Sequence, residues 1–581
     1  MQRRIRIFEI LIILVAIAII CRLFYWQFIN KLGTRDDQSA AENIIPAARG
    51  EIFTSDNFPL AANQEAFIVY GKPNELKDDP VKIAKSIAPF LISEKYATEE
   101  AKLADIDQKA KEEETKKKEE DIKNKLSNHS LIWVQLARKI PLSTKQKIEN
   151  QHIEGLGFES DEKRFYPEAS MAAQVLGFVG SDKYGQDTGY NGLEGYWNKK
   201  LRGKDGRLGQ EKDPFGIPIL VGNYKPVAPQ KGSSVYLTID RTIQFFAEEK
   251  LRDAVEKYGA KQGTVIIEDP KTGNILALAT YPTYNPSIFT EYDQSAYKNP
   301  AIGDVYEPGS TFKLVTMSAA IDLTKVTPET KCDVCSGPRS IGGYEISTWN
   351  KKYFPDSTMT DVIKHSDNVG MTFVGDKLGI DKFYDYIKKF GFGTATGIDL
   401  QSEVEGNIRP KDDWKTIDLV TASFGQGLAV TPIQVVQAVS TIANNGKLIS
   451  PHIVQKIKND SGEEIIKPRE ERQVITPKTS AIITEMMVNA VENGEAKFFA
   501  PKGYRIAGKT GTAQIPVAGH YDPNKTIASF VGFAPAENPR FVMLVRFTEP
   551  SSSIFGAETA APTFFAIAHD VFNYFGITPS K

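Results

Sequence analysis

A serine and a lysine within the segment Tyr306–Met317 have the types and spacing of a nucleophile and its base. A Pro-Gly pair precedes a run of apolar residues at helical spacing, so Ser310 is expected at a helix N-terminus with Lys313 one turn further on, facing the same way. A serine hydroxyl becomes nucleophilic when a neighbouring base takes its proton, and a lysine can be that base when burial or another cation lowers its pKa. The helix N-terminus adds partial positive charge where an oxyanion would develop.

The S-x-x-K pattern alone is weak evidence, and accompanying motifs distinguish Ser310. Ser366–Asn368 and Lys509–Thr512 follow it, which produces the order S-x-x-K, S-x-N, K-T-G within one predicted domain. Isolated copies of these patterns lie at Ser160–Lys163, Ser295–Lys298, Ser55–Asn57 and Lys271–Gly273. The ordered triple is the signature of serine acyl-transfer enzymes that bind penicillin.

The chain thereby resembles the class B (monofunctional) penicillin-binding proteins, which are peptidoglycan D,D-transpeptidases. The resemblance covers nearly the whole chain and departs at Thr54–Asn57, where the family's usual Asp-Arg-Asn-Gly turn is missing. Further matching segments are Arg49–Ile52 with Leu60–Ala61, Arg164–Pro167, Gly192–Glu194 with Tyr196, Leu237–Asp240 with Gln244, Gly425–Gly427 with Thr431, Pro432 and Gln434, and Ser529–Pro535.

The resemblance implies roles in acyl transfer for the first two motifs. Ser310 would attack the carbonyl between two D-alanines of a stem peptide, and Lys313 would take its proton. Ser366 would relay a proton to the leaving D-alanine, while Asn368 would hold the substrate backbone. The backbone N–H groups of Ser310 and Thr512 would form the oxyanion hole. A second stem peptide's amine would then attack the acyl-enzyme and make a cross-link.

The third motif is expected to bind the substrate's terminal carboxylate. By the same resemblance Lys509 stands on an edge strand, and Thr510, Gly511 and Thr512 form the substrate-binding wall beside it. The charge of Lys509 would also help to keep Lys313 neutral, and the cleft is expected to be locally positive. No metal or cofactor is implied.

The elements that position these motifs follow from the hydrophobic pattern. Strands, then helices, then strands again favour an antiparallel sheet with an inserted helical layer. Predicted strands are Ser234–Ile239, Gly263–Ile267, Ile275–Thr280, Phe530–Phe533 and Phe541–Phe547, and predicted helices are Arg241–Tyr258, Met359–Phe390 and Thr431–Asn445. The resemblance implies that residues 226–575 form an α/β penicillin-binding transpeptidase domain, serine β-lactamase-like, with an antiparallel sheet and a helical subdomain.

A non-catalytic α+β pedestal domain of the dimerisation type is predicted for residues 29–225. The segment Arg49–Ala61 has a strand–turn–strand pattern. The segment Lys109–Lys125 contains 7 lysines and 6 acidic residues. Its charge alternates in blocks, which is typical of a solvated helix or an extended insertion, so no chemistry is assigned to it.

Residues 1–28 are expected to form a cytoplasmic tip and a single transmembrane helix. Three arginines within the first six residues precede the apolar stretch Ile7–Phe28, which is long enough to cross a hydrocarbon core of about 30 Å. No small-residue cleavage site follows, which favours an uncleaved anchor over a signal peptide. The arginines would keep the N-terminus in the cytoplasm and place the catalytic domain outside.

Composition excludes several classes of protein. The 581 residues are 41% apolar and 25% charged, which excludes wholesale disorder, collagen and a polytopic membrane protein. A net charge of −2 gives no field that would attract nucleic acid. Cys332 and Cys335 form a C-x-x-C pair that could be a structural disulfide, two unpaired thiols or a redox pair, and a zinc site is disfavoured. Cys21 is expected to pack within the membrane span.

Other functions stay open at this point. A β-lactamase shares the three motifs but must hydrolyse its acyl-enzyme, and Glu403–Asn407 resembles the E-x-x-L-N motif of one such class without its Leu. A β-lactam sensor and a non-catalytic scaffold of the envelope machinery are further alternatives, although the intact catalytic set argues against a purely structural role. His365, next to Ser366, is expected to be a lining or surface residue rather than a base.

The resemblance also implies partners. These are stem peptides ending in D-Ala-D-Ala, β-lactams, the membrane, and a lipid-II polymerase of a division or elongation complex. The polymerase would act in trans, because no E-D-x-x-F segment of a glycosyltransferase precedes the pedestal. Glu307–Gly309 leans slightly toward the division-type branch. No residue identifies the acceptor amine.

Overall fold

The computed structural model describes residues 2–25, 42–93, 107–209, 225–517 and 520–579. These residues fall into two units, one of residues 1–47 with 203–230 and one of residues 48–202 with 231–581. The first unit contains the helix Gln2–Phe24 and a three-stranded antiparallel sheet. The strands of that sheet, in spatial order, are Glu42–Ile45, Gly206–Gly209 and Lys225–Val227.

The predicted anchor is only partly within the described residues. The helix Gln2–Phe24 overlaps most of the expected span Ile7–Phe28, and residues 26–28 lie outside the described part of the chain. Among the residues that the structure describes, none of the helices combines the length and the apolar character that a membrane crossing requires.

The second unit contains the remaining helices and strands. The α-helices are Pro80–Ser93, Asp107–Leu126, Leu142–Glu149, Ala173–Leu176, Gly192–Tyr196, Asn198–Leu201, Arg241–Tyr258, Pro300–Gly303, Lys313–Asp322, Met359–Lys364, Asn368–Lys389, Thr416–Ser423, Pro432–Ala443, Pro477–Asn493 and Ala560–Phe575. The strands are Ile52–Phe53, Pro59–Gly71, Val134–Ile140, Leu156–Phe165, Phe178–Ser181, Asp187–Tyr190, Ser234–Leu237, Gln262–Glu268, Ile275–Tyr281, Arg339–Ile341, Tyr344–Ile346, Lys447–Ile449, Val454–Asn459, Gly462–Ile465, Glu470–Gln473, Ala507–Val517, His520–Ala534 and Phe541–Thr548. Short 3₁₀ turns lie at Pro286–Glu291, Gln294–Tyr297, Gly309–Phe312 and Lys411–Asp413.

The pedestal region is built on a long mixed sheet. Its strand Pro59–Gly71 pairs antiparallel with Leu156–Phe165 and with Val134–Ile140. The charged segment is helical, as one of its two interpretations predicts, within Asp107–Leu126. Ile122 and Leu126 of that helix are buried in the core that it shares with the sheet, which is how a largely solvated helix is held in place.

Three of the pedestal segments that carry the family resemblance meet at one buried carboxylate. Glu194, 0% exposed, accepts hydrogen bonds from Nε of Arg49 and from Nε of Arg164, both at 2.7 Å. Burial by itself would raise the pKa of Glu194, but the charges of the two guanidinium groups outweigh it and hold the pKa below its ordinary value. Segments far apart in the chain are thereby joined by charge-assisted hydrogen bonds.

The pedestal sheet continues into the region after residue 226. Ser234–Leu237 pairs parallel with Ile52–Phe53 and antiparallel with Val454–Asn459. The sheet therefore connects the pedestal strands to a hairpin that lies late in the chain, and the two predicted domains share a sheet.

The sheet that carries the third motif has five antiparallel strands. Their spatial order is Ile275–Tyr281, Gln262–Glu268, Phe541–Thr548, His520–Ala534 and Ala507–Val517. Alternate residues enter different cores: Val265 packs with the helices Arg241–Tyr258 and Ala560–Phe575, whereas Ile266 packs into the core that contains the helix Pro432–Ala443. Both faces are covered, which explains the continuous apolar strands and confirms the predicted antiparallel sheet with a helical layer.

Candidate active site

Ser310 lies in a tight turn that is pressed against the edge strand of the five-stranded sheet. The 3₁₀ turn Gly309–Phe312 leads directly into the helix Lys313–Asp322, as the sequence predicts. Gly309 has a positive φ of 55°, and its N–H donates to the carbonyl of Gly425 at 3.1 Å. A Cβ at Gly425 would fall 2.1 Å from the carbonyl oxygen of Gly309, so both positions need glycine.

Ser366 lies in a break between two helices. The expected helix Met359–Phe390 is wrong at this point, because the structure has one helix at Met359–Lys364 and another at Asn368–Lys389. Ser366 adopts a positive φ of 55°, and the Asp367 carboxylate caps the second helix by accepting from backbone N–H groups. The break turns Ser366 and Asn368 toward the same place.

Lys313 connects the first two motifs. It is 0% exposed, and its ammonium donates to the carbonyl of Ser366 at 2.6 Å, to Oδ1 of Asn368 at 2.7 Å and to Oγ of Ser366 at 3.3 Å. Burial, and then the nearby charge of Lys509, lower the pKa of Lys313 well below its usual value. A lysine in these surroundings is more easily neutral than an exposed lysine, and a neutral amine can accept a proton.

Lys509 stands on the edge strand, as predicted. Ala507–Val517 is the last strand of the sheet order, and Lys509 pairs with Val531 of the neighbouring strand. Its ammonium donates to the hydroxyl of Thr510 at 3.0 Å, and that hydroxyl in turn donates to the carboxylate of Glu495 at 3.1 Å. Burial lowers the pKa of Lys509, and the charge of Glu495 opposes that effect.

A cavity of about 620 Å³ brings the motifs to one surface. Its lining includes Ser310, Ser366, Asn368, Thr510 and Thr512 together with Gly309, Trp349, Phe424, Gln426, Ala513, Gln514, Thr526, Ile554, Phe555 and Ala557. Within the described residues, the charged side chains that line this cavity are Glu495 and Glu558. The positive charge expected in the cleft is therefore not on its surface but beneath it, at the buried pair of Lys313 and Lys509.

The isolated copies of the motifs lie elsewhere. Ser160 is exposed on a pedestal strand, and Ser295 is exposed in a 3₁₀ turn. Glu403 accepts hydrogen bonds from the backbone N–H groups of Thr396 and Gly397, so its carboxylate caps a turn. His365 stacks on Phe354 with ring centroids 4.2 Å apart, which fits the expected non-catalytic role.

The C-x-x-C pair forms a disulfide, which confirms the first of its interpretations. The N–H of Cys332 donates to the carbonyl of Ser357 at 2.8 Å, and the loop between these residues carries Trp349 to the cavity. Among the described residues, no group of three or more His, Cys, Asp and Glu side chains is arranged to hold a metal ion.

Two features of the site were missed by sequence reasoning. Glu495 follows the helix Pro477–Asn493 in a segment without a motif, and nothing in its local sequence indicates the contact with Thr510. Gly425 belongs to a segment that carries the family resemblance, yet its packing against Gly309 is visible only in the fold. A glycine-rich segment was the available indication of a close backbone approach.

Comparisons with known proteins identify the family to which the chain is similar. Residues 263–569 match the family model of the penicillin-binding protein transpeptidase domain, and residues 44–237 match that of the penicillin-binding protein dimerisation domain. The chain is 32% identical to stage V sporulation protein D of Bacillus subtilis, over 98% of this chain and 85% of that protein. It is 28% identical to the probable peptidoglycan D,D-transpeptidase PenA of Neisseria meningitidis, over 96% of this chain and 89% of that one.

A solved structure extends the likeness to three dimensions. Penicillin-binding protein 3 from Mycobacterium tuberculosis, complexed with aztreonam, superposes with a TM-score of 0.68 at 26% identity, covering 93% of this chain and 98% of that one. The two family models together span most of the chain, the relative from Bacillus subtilis is 32% identical over nearly all of it, and the chain accordingly belongs to the class B penicillin-binding proteins.

Proposed function

We propose that this enzyme is a serine-type peptidoglycan D,D-transpeptidase that forms its acyl-enzyme on Ser310 and is acylated by penicillin at the same atom. The observation that carries the proposal is the position of Lys313, whose buried Nζ donates to Ser366 and Asn368 beside the turn that holds Ser310. An acyl transfer of this kind needs a nucleophile, a neutral base and a proton relay close together, and we assign these roles to Ser310, which lines the same cavity as Ser366, to Lys313 and to Ser366.

Acylation follows from this arrangement. Oγ of Ser310 attacks the carbonyl carbon between the two D-alanines, and Lys313, neutral because of its burial and of Lys509, takes the hydroxyl proton. The C–N bond breaks as the proton passes through Ser366 to the leaving D-alanine. The backbone N–H groups of Ser310 and Thr512 stabilise the negative charge on the carbonyl oxygen. The amine of a second stem peptide then attacks the ester and loses a proton, the C–O bond of the ester breaks, and the oxygen of Ser310 takes that proton.

Substrate orientation rests on the edge strand. The terminal carboxylate of the donor peptide binds beside Lys509 and accepts from the hydroxyl of Thr512, and Thr510 belongs to the same wall. Gly511 leaves room for the side chains of Thr311 and Ser529, which pack the strand against the turn of Ser310. Asn368 binds the substrate's own backbone from the opposite wall. The same contacts accept the carboxylate and amide of a β-lactam, whose ring carbonyl takes the place of the scissile amide.

The test of the nucleophile is covalent labelling with a fluorescent penicillin. Wild type should form a stable adduct that survives denaturing electrophoresis, and Ser310→Ala should form none. Matched controls are Ser160→Ala and Ser295→Ala, which remove the serine of the other S-x-x-K patterns and should label like wild type. Labelling of Ser310→Ala at the wild-type level would contradict the assignment.

The same adduct distinguishes the transpeptidase from a β-lactamase. A transpeptidase excludes water from its acyl-enzyme, so the label should persist for many minutes after free penicillin is removed. Loss of the label within seconds, with release of the hydrolysed drug, would support a hydrolase. Normal growth of cells that carry Ser310→Ala as the only copy would support a non-catalytic scaffold instead.

The domain division and the location also belong to this proposal. Residues 1–28 form a cytoplasmic tip and a single-pass anchor in the cytoplasmic membrane, residues 29–225 the pedestal, and residues 226–575 the extracytoplasmic catalytic domain. Protease added to spheroplasts should degrade the catalytic domain and leave a short membrane-bound N-terminal fragment. A catalytic domain that becomes sensitive only after the membrane is permeabilised would contradict this orientation.

A lipid-II polymerase supplies the glycan strands in trans, with a slight preference for a division-type complex. The support is indirect: the described pedestal is a mixed sheet with helices, and its matched family model is a dimerisation domain. Cross-linking from the pedestal in cells, followed by identification of the captured membrane protein, tests this partner. Capture of only cytoplasmic proteins would contradict it.

A further inference from the structure

The hydroxyl of Thr510 lies between a buried ammonium and a carboxylate. It accepts a hydrogen bond from Lys509 at 3.0 Å and donates one to Glu495 at 3.1 Å. A threonine hydroxyl has a single proton, so donation to Glu495 directs its lone pairs toward Lys509. Lys509 and Thr510 are only 3% and 7% exposed, so the link is largely shielded from water.

Glu495 lies close to several charged groups of the site. It lines the cavity that holds Ser310, and it also lines a small void together with Lys364 and Lys509. Lys364 forms a salt bridge with Asp361 at 2.5 Å, so the positive charge of Lys364 is balanced by that carboxylate. The other titratable groups with which Glu495 interacts electrostatically are Lys313 and His365, and Asp367 acts on the same Lys313.

The two buried lysines respond to Glu495 differently. For Lys509, Glu495 is the main influence that opposes burial, and it favours the charged form. For Lys313, Glu495 is the smallest of four influences and comes after burial, Lys509 and Asp367. Glu495 is also connected to Lys509 through the Thr510 hydroxyl, and this contact makes it favour a proton on Lys509 more strongly than a proton on Lys313.

We propose that Glu495 is a positioning residue for this lysine pair. Through the Thr510 hydroxyl it holds the single positive charge of the pair on Lys509, so that Lys313 is left as the neutral base and Lys509 as the cation for the substrate carboxylate. This inference rests on the roles of Ser310, Lys313 and Lys509 proposed above. Glu495 touches neither the reacting carbonyl nor the nucleophile in this account; it acts through Thr510 and Lys509.

The consequence is a specific change in the pH profile of acylation. Activity needs Lys313 neutral, which sets the acid limb, and Lys509 charged, which sets the alkaline limb. Removal of the Glu495 charge lowers the pKa of Lys509, so the alkaline limb should move to lower pH by about one unit. The acid limb should move in the same direction by less, because Glu495 acts only weakly on Lys313.

The experiment measures the second-order rate of acylation by a fluorescent penicillin between pH 6 and 9.5, on the full-length protein in detergent. Glu495→Gln should retain its rate near the optimum within a few-fold and lose about tenfold on the alkaline side. Glu495→Asp, which keeps the charge, should restore most of the alkaline limb. The matched control is Glu492→Gln, an exposed acid on the last turn of the preceding helix, which should keep the wild-type profile.

The variants Thr510→Val and Ser310→Ala make the outcome decisive. Thr510→Val removes the hydroxyl but leaves the carboxylate, and it should shift the alkaline limb in the same direction, which carries the test if Glu495→Gln fails to fold. An alkaline limb that is unchanged in Glu495→Gln, with the rate lowered equally at every pH, would overturn the proposal. If Ser310→Ala still labels, the proposed function fails instead, so the two failures are distinguishable.

Discussion

Charged side chains are buried both in the pedestal and in the catalytic cleft, in opposite surroundings. In the pedestal, the carboxylate of Glu194 lies between the guanidinium groups of Arg49 and Arg164. In the cleft, the ammonium of Lys313 is equally buried, and its strongest charged neighbour is Lys509, a second cation. Both groups are buried away from water, but only Glu194 has groups of opposite charge at hydrogen-bond distance.

The difference decides what each group can do. Opposite charges at hydrogen-bond distance hold the pKa of Glu194 below its usual value, so the carboxylate stays ionised and acts as a structural link. A like charge adds to burial at Lys313, so its pKa falls and the amine is available as a base. Burial alone therefore does not predict a role; the sign of the neighbouring charge does.

The largest effect should come from removing the uncompensated base. Lys313→Met should lower the rate of acylation by penicillin on the order of 10⁴-fold, because Ser310 loses its proton acceptor. The melting temperature should stay constant or rise, since the variant replaces a desolvated ammonium with an apolar chain. A fall of several degrees, measured by thermal denaturation, would show that Lys313 is also a structural residue and would break the comparison.

Removing the charge of Glu194 should have the opposite effects, a large loss of stability and little change in the acylation rate. Glu194→Gln leaves two buried guanidinium groups without their carboxylate and should lower the free energy of unfolding by about 4 kcal/mol. Urea denaturation measures this loss, and the acylation rate per folded molecule should stay within a few-fold of wild type. Because the folded-state pKa of Glu194 is lowered, its contribution is present above the unfolded value and is lost as the pH falls through the folded value.

A second buried carboxyl, Glu268, sharpens the comparison because it lacks a charged partner. Among the described residues its oxygens make no hydrogen bond of ordinary geometry, although the Ser440 hydroxyl faces it. Burial, which the Ser440 hydroxyl opposes, raises the pKa of Glu268 from 4.5 to about 8. A raised folded-state pKa gives stability that is present below 4.5 and lost as the pH rises through about 8, opposite in sign to Glu194. Between about pH 5 and about pH 8.5, Glu268→Gln should remove about 4 kcal/mol of this pH dependence.

Urea denaturation at pH 5 and pH 8.5 measures the effect of Glu268. Wild type should be less stable at the higher pH, and Glu268→Gln should show a smaller difference. An equal difference in both proteins would mean that Glu268 is already ionised in the folded state, and the contrast between partnered and unpartnered carboxylates would fail.

The smallest effect should come from an exposed ion pair. Lys200 and Glu464 are 3.8 Å apart, and their side chains are 53% and 64% exposed. Water screens this pair, so Glu464→Gln should change the free energy of unfolding by less than about 0.5 kcal/mol. A loss comparable to that of Glu194→Gln would show that burial is not what separates the two pairs.

Much of the site could be predicted from the order of short motifs. The helix Arg241–Tyr258 begins and ends where periodicity and its Asp and Gly caps predict. The turn that holds Ser310 and the edge strand that holds Lys509 also agree with prediction. Apolar periodicity and Pro-Gly punctuation depend on neighbouring residues only, so they are visible in a single sequence.

The break at Ser366 could not be predicted in the same way. The apolar spacing continues across Met359–Phe390, and periodicity alone therefore predicts one helix. The positive φ of Ser366 is supported by contacts from elsewhere in the chain, including the bond from Lys313 to its carbonyl. Local pattern contains no information about such a distant partner.

The sequence by itself determined which chemistry is available: a serine with a lysine one helical turn away, a second serine and a lysine on a strand, in an order that matches penicillin-binding enzymes. Only the tertiary structure decided which charges are compensated, because pKa values depend on burial and on neighbours that are distant in the chain. The fold places Lys313 beside a second cation, Glu194 between two guanidinium groups, and Glu495 at the Thr510 hydroxyl. Side-chain type sets what a residue can do, and its electrostatic surroundings set whether it does so at neutral pH.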